Sequence, residues 1–270
     1  GIPARQVYTP RWAHTDDNHA WVEVWVDGKW YFLGACEPEP ELNMGWFAGP
    51  AKRAMMMRTF VFGKYNGNEE KLTDSEWFTE INLLGNYAPT KNLNIKVVDE
   101  NGSAVSEAKI EFQLYNYAEF YPIGTKQTNE EGACSLTTGF GDLIVWASKD
   151  NRIGFSKADK DATDITINIA ENPNFADLDL TLTPPAEQPV TQADQSKAEV
   201  NNARLKDEDA IRNKYIATFI DSASAANLAM EKGVNIDETW RYLKLSRGNW
   251  QEIYNFIKEL DGKDLTVGLA

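Results

Sequence analysis

The chain has 270 residues, 42% of them hydrophobic and 11% aromatic, enough apolar material for two or three packed domains and too much for a disordered polymer. Its 41 acidic and 27 basic side chains leave a net charge of −14 with no compensating Lys/Arg run, which argues against a nucleic-acid partner. No apolar run reaches the roughly 18 residues a bilayer span needs. Two cysteines, Cys36 and Cys134, form neither a disulfide framework nor a zinc spacing, and a bridge between them would cross a domain boundary. No metal or cofactor is expected.

Residues 1–80 are rich in Trp and Met between Pro and Gly punctuation. Residues 81–183 alternate apolar and polar side chains between turn signals, the pattern of an antiparallel β-sandwich. Asp99-Glu100-Asn101-Gly102 and Asn129-Glu130-Glu131-Gly132 are tight-turn signatures. Strands are predicted over Asn94–Val98, Ala108–Leu114 and Leu143–Ala147, with Cys134 and Leu136 on another. Residues 184–196 read as a linker, its proline-rich start a stiff extended spacer. Residues 197–270 show helical periodicity and are predicted to form a small bundle. Ile211, Tyr215 and Phe219 make one core stripe there. Ser222 and Asp237 are the expected caps of the next two helices, and Gly233 ends the first of them. Trp250, Ile253, Ile257 and Leu260 form the stripe of a last helix ending near Gly262. The fold class is therefore α+β and multidomain.

The most informative stretch is His19-Ala20-Trp21-Val22-Glu23-Val24-Trp25-Val26, then Asp27-Gly28, then Lys29-Trp30-Tyr31-Phe32-Leu33-Gly34-Ala35-Cys36-Glu37. Asp-Gly between strand-like runs predicts a two-residue hairpin turn. That turn sets Val26 opposite Lys29, Trp25 opposite Trp30, Glu23 opposite Phe32 and His19 opposite Cys36. Alternation then puts Ala20, Val22, Val24, Tyr31, Leu33 and Ala35 on one face, expected to be the core. The other face collects His19, Trp21, Glu23, Trp25, Trp30, Phe32, Gly34 and Cys36. Aromatics mixed with an imidazole and a carboxylate are the makings of a binding cleft. His14, in a polar run, reads as exposed.

A thiol hydrolase or acyltransferase needs a thiolate, an imidazole to take and return the proton, and a group that orients the imidazole. Only the imidazole, His19, is clearly present. Gly1-Ile2-Pro3-Ala4-Arg5-Gln6-Val7-Tyr8, His19-Ala20-Trp21-Val22-Glu23-Val24 and Asp27-Gly28-Lys29-Trp30 together resemble the transglutaminase-like superfamily of papain-type thiol proteins. That group includes transglutaminases, peptide N-glycanases and bacterial cysteine peptidases. The resemblance implies that residues 1–80 are the C-terminal part of such a domain, with His19 as the family histidine and the nucleophilic Cys before Gly1. Where N-glycanase-like relatives end the second strand in Asp-x-Cys-Glu, this chain has Gly34-Ala35-Cys36-Glu37, so the orienting aspartate is a glycine and Glu37 is the candidate replacement. Cys36 as a substitute nucleophile is disfavoured, because a strand end lacks the helix dipole that lowers a thiol pKa. Asn82–Thr90 and Leu114–Pro122 are similar to segments of large bacterial transglutaminase-like proteins, and residues 81–183 resemble a carboxypeptidase regulatory-like, transthyretin-type module. The resemblance also implies an extracytoplasmic location.

The first functional expectation is part of a thiol enzyme acting on amide bonds of peptides or glycopeptides, inert without its nucleophile, its sheet packing against the missing N-terminal part or a second chain. The alternatives are a degenerate glycan- or peptide-binding protein and a pure scaffold. The expected catalytic residues are His19 as acid/base and Glu37. The expected binding residues are Trp21, as cleft wall or as an indole donor to developing negative charge, Glu23, paired to Arg5 or Arg11 or supporting the site, and Trp25, Trp30 and Cys36.

Overall fold

The computed structural model describes residues 1–35, 39–173 and 180–259 and is of the α+β class, strands first and helices last. It divides into two compact units, residues 1–195 and 196–270.

The first unit opens with a six-stranded antiparallel sheet. Its strands are β1 (Ala4–Thr9), β2 (His19–Val26), β3 (Lys29–Leu33), β4 (Arg58–Phe62), β5 (Lys71–Asp74) and β6 (Phe78–Asn82), in the order β3-β2-β1-β4-β6-β5. The β2–β3 hairpin has the register the Asp-Gly turn dictates: Val26 opposite Lys29, Trp25 opposite Trp30, Glu23 opposite Phe32. Asp27 (φ 47°) and Gly28 (φ 84°) both occupy the left-handed region, which such a turn requires. Regular pairing ends at Val22 opposite Leu33, and Cys36, the expected partner of His19, lies outside the described residues.

The faces of the hairpin are the reverse of the sequence expectation. Trp21 and Glu23 are buried, while Ala20 is exposed and Val22 and Val24 are only half-buried. The indole face is thus the core face. One tryptophan removes about 150–250 Å² from water, far more than a valine. Flat partners brought in from later in the chain fit it: Trp12, Phe47 and Leu84 share its cluster, with Phe32 and Tyr87 packed against them. Phe47 immediately precedes a short helix, α1 (Ala48–Ala51), and Tyr87 follows a 3₁₀ turn over Leu84–Asn86.

The rest of the first unit is built from two sheets around one aliphatic core. Its strands are β7 (Lys91–Val98), β8 (Lys109–Asn116), β9 (Glu119–Gln127), β10 (Ala133–Thr138), β11 (Leu143–Lys149), β12 (Arg152–Ala158) and β13 (Asp164–Asn168). They pair as β10-β7-β13 and β12-β11-β8-β9, antiparallel except for β7 with β13. Asp99 and Asn129 each close their turn by accepting two backbone N–H bonds, with Gly102 and Gly132 at positive φ. Leu93, Ile95, Ile110, Phe112, Leu136 and Val145 lie between the sheets. Met55 and Met56 enter this core while Met57 enters that of the six-stranded sheet, so one flexible run pins the two together. Polar bonds add to the joint: Thr138 Oγ1 donates to Met55 O (2.8 Å) and Asn116 Nδ2 to Trp12 O (2.8 Å).

The proline-rich segment lies against this unit. Buried Asp142 accepts from Lys160 N (2.6 Å) and Thr183 N (2.9 Å), meets Lys157 Nζ at 3.0 Å, and returns its own N–H to Thr183 O (2.8 Å). Pro185 is buried beside Gly141, where any Cβ would sit 2.7 Å from its ring.

Four helices follow: α2 (Gln192–Ile216), α3 (Ser222–Lys232), α4 (Ile236–Ser246) and α5 (Trp250–Glu259). Ala225, Leu228, Leu243 and Ile257 form the core of α3–α5. Caps fall one or two residues before the expected ones. Asp221, not Ser222, accepts from Ser224 N, and Asn235, not Asp237, accepts from Glu238 N. Gly233 ends α3 in the left-handed conformation. The stripe expected of α2 is not core: the helix has no buried residue, and Ile211 and Tyr215 are exposed. Apolar groups at helical spacing need an opposing surface, and the chain supplies that to α3–α5 instead. Leu260 and Gly262 lie outside the described residues.

Candidate functional site on the buried face of β2

One face of β2 presents, in order, His19, Trp21, Glu23 and Trp25. Thr9, Val7 and Arg5 stand beside the first three on β1. His19 begins the strand and is half-buried. Its ring lies 4.6 Å from Trp46, 4.9 Å from Phe47 and 5.8 Å from Trp21, centroid to centroid. With Gly34, Glu39, Trp46 and Phe47 it lines a cleft of about 190 Å³. Gly45 makes this wall possible, since a Cβ there would come within 2.7 Å of the Phe47 ring. Trp46 is 55% exposed and forms the lip of the cleft.

Behind His19 the face closes into a buried polar chain. Trp21 Nε1 donates to Tyr87 Oη (2.8 Å), Tyr87 Oη donates to Glu23 Oε1 (2.5 Å), and Arg5 Nε donates to Glu23 Oε2 (2.5 Å). Burial, and then the Glu23 charge, hold the Tyr87 phenol far above its ordinary pKa, so it remains a donor at any working pH. Glu23 therefore takes Arg5 as its partner. Arg11 instead stacks on Tyr121 at 4.0 Å and pairs loosely with Glu119. The Trp21 indole N–H is engaged by Tyr87 and does not point into the cleft as a donor to a reacting oxygen.

Past Glu23 the face opens again. Trp25 and Trp30 meet edge to face at 5.3 Å, and Arg5 lies 4.0 Å over Trp30. They border a second, larger cleft of about 590 Å³. The seven expected residues thus divide: His19 stands in the small cleft, Trp21 and Glu23 are internal, Trp25 and Trp30 stand at the large cleft, and Cys36 and Glu37 lie outside the described residues. His14 is half-buried against Trp12, with Nδ1 lacking a hydrogen-bond partner among the described residues and a pKa lowered by burial and then by Arg53. Trp46, Phe47 and Tyr87 were not legible as site residues, because they arrive from irregular segments with no period to reveal a face. Among the described residues no group of three His, Cys, Asp or Glu could hold a metal ion, and no helix is long and apolar enough to cross a membrane.

A family model described as the transglutaminase-like superfamily matches residues 1–35. The match ends just after β3 and includes His19, Trp21 and Glu23. No curated protein matches the chain. Among solved structures, a streptococcal ancillary pilin is similar at 8% identity and a TM-score of 0.25, over 62% of this chain and 61% of that one. The chain thus spans less than two thirds of that pilin, and the likeness is too distant to bear on fold or function.

Proposed function

We propose that His19 is the acid/base of a transglutaminase-like thiol centre acting on amide bonds of peptides or glycopeptides. The observation that carries this reading is the position of His19: at the head of β2, inside the matched segment, and facing a cleft walled by Trp46 and Phe47. On this reading a cysteine thiol gives its proton to His19, and the resulting thiolate attacks the amide carbonyl. His19 returns that proton to the departing amine as the C–N bond breaks and a thioester forms. It then takes a proton from water, or from an acceptor amine, as that nucleophile attacks the thioester, and returns it to the thiolate released when the C–S bond breaks. Glu37, next to the cleft in sequence, is proposed to orient the imidazole where Gly34 cannot. The described residues bring no thiol to this cleft, since Cys134 sits on β10 against the other core. The test uses the protein isolated from its host, assayed for release of ammonia or amine from glutamine peptides and glycopeptides. Activity that His19→Gln abolishes supports the reading; activity indifferent to His19 ends it.

A second reading, binding without chemistry, is favoured by Gly34 where relatives carry the orienting aspartate and by the exposed indole of Trp46 at the cleft mouth. Host protein with no amidase or acyltransfer activity, but with peptide or glycan retention lost in Trp46→Ala, would select it.

A further inference from the structure

The larger cleft, at the far end of β2, is not used by the His19 chemistry. We propose that it is a binding site for a neutral oligosaccharide. The inference stands whether or not His19 serves a thiol.

The cleft joins an apolar platform to polar groups with unused hydrogen-bonding capacity. Trp25 is 40% exposed and is braced from behind by Trp30, which Arg5 covers on another side. A sugar ring has a C–H face that packs on an indole, and hydroxyl groups that need planar partners able to donate and accept. Asn43 and Asn86 supply such partners at the cleft wall. Asn43 is held at φ 58° by a double bond to the strand edge: its N–H donates to Phe32 O (2.8 Å) and its Oδ1 accepts from Phe32 N (3.0 Å). That leaves its Nδ2 without a partner among the described residues, and the Asn86 side chain has none there either. At about 590 Å³ the cavity lies within the ~300–1,000 Å³ range of small-ligand sites.

Other ligand classes fit less well. The cleft sets Lys29 and Lys52 against Glu69 and Asp194, with Lys52 paired to Asp194 at 2.9 Å, so it offers no surplus of positive charge to a phosphorylated or acidic ligand, and the chain as a whole carries −14. A peptide could add to β3, the edge strand of the sheet, but Asn43 already takes both outward backbone groups of Phe32, which closes that edge to strand addition.

The test uses the whole 270-residue chain and three neutral probes: cellotriose, mannotriose and tri-N-acetylchitotriose. Tryptophan fluorescence and saturation-transfer NMR are expected to show saturable binding of at least one, with Kd below about 1 mM. Trp25→Ala should weaken it roughly tenfold or more, and Trp25→Phe should recover part of the loss. Asn86→Ala should weaken it by a smaller factor. Because Trp25 is exposed, its variants should keep the parent far-UV spectrum and melting temperature. His19→Ala, at the other cleft, and Trp77→Ala, an exposed indole elsewhere, should bind as the parent does. The proposal is overturned if none of the three sugars saturates by about 20 mM, or if binding survives Trp25→Ala unchanged. Displacement of a bound sugar by a neutral tripeptide at equal affinity would also overturn it.

Discussion

The six-stranded sheet and the two-sheet region beside it are both largely antiparallel, but they bury different things. Between β7–β13 the interior is aliphatic, and its polar anchor, Asp142, sits at the margin clamping the proline segment. On the core face of β2 an ion pair, a phenol and an indole N–H form one continuous chain through the interior. An aliphatic core is cheap to build and tolerates volume-conserving exchange. A buried polar chain is costly unless every member is satisfied, and it fixes each side chain in place. The difference identifies β2 as the element whose side chains are held in set orientations, with one open cleft at each end of that rigid stretch.

The sharpest way to break the contrast is Trp21→Ala, which removes an indole with no exposed surface and leaves Tyr87 Oη without its donor. It should cost about 3–5 kcal/mol in denaturant unfolding. Phe112→Ala in the aliphatic core should cost a similar amount, but Phe112→Leu should be tolerated there, whereas Trp21→Leu should not be. Glu23→Gln leaves the half-buried Arg5 without its counter-charge and should cost roughly 3 kcal/mol despite conserving volume. Exchange of Ile110 for Val on the other side should cost about 1 kcal/mol. A near-neutral Glu23→Gln would erase the distinction between the regions.

Asp142→Asn sharpens the account of the proline segment. Burial pushes the Asp142 carboxyl pKa up, but bonds from Thr183 N, Lys157 Nζ and Lys160 N outweigh it and hold the pKa below the ordinary 3.8. A group depressed in the folded state contributes stability that is fully present above its unfolded pKa and is lost as pH falls through the folded value. Asp142→Asn should thus cost about 2–3 kcal/mol at neutral pH. The gap from the parent should narrow below about pH 4. A gap that holds constant down to pH 2 would assign the effect to shape and not charge. The smallest effect is kinetic. Burial pushes the Cys134 thiol up to about 11, so at pH 8 it should react with iodoacetamide well over tenfold slower than a free cysteine.

Much of this was legible where the signal is local. Asp27-Gly28 fixes the hairpin register because the turn geometry is set by two residues, and the Asp99–Gly102 and Asn129–Gly132 turns are readable for the same reason. The burial of the hairpin was not readable. Alternation sorts side chains into two faces but does not say which face will be covered; that depended on Phe47 and Tyr87, which lie 15 and 55 residues beyond Phe32 in segments that carry no period of their own. The exposure of α2 was hidden similarly, since helical spacing reveals a stripe but not whether anything opposes it. At the candidate site, the place of His19 at the head of β2 was readable from the sequence, but the engagement of the Trp21 indole by Tyr87 was not.

The central claim is that His19 serves a thiol. The most direct test is to alkylate the protein from its host with iodoacetamide near pH 6.5 and to map each labelled cysteine over time, in the parent and in His19→Ala. The account predicts one thiol that labels far faster than Cys134 and loses that advantage when the imidazole is removed. Labelling rates that are uniformly slow, or that do not change in His19→Ala, would contradict it.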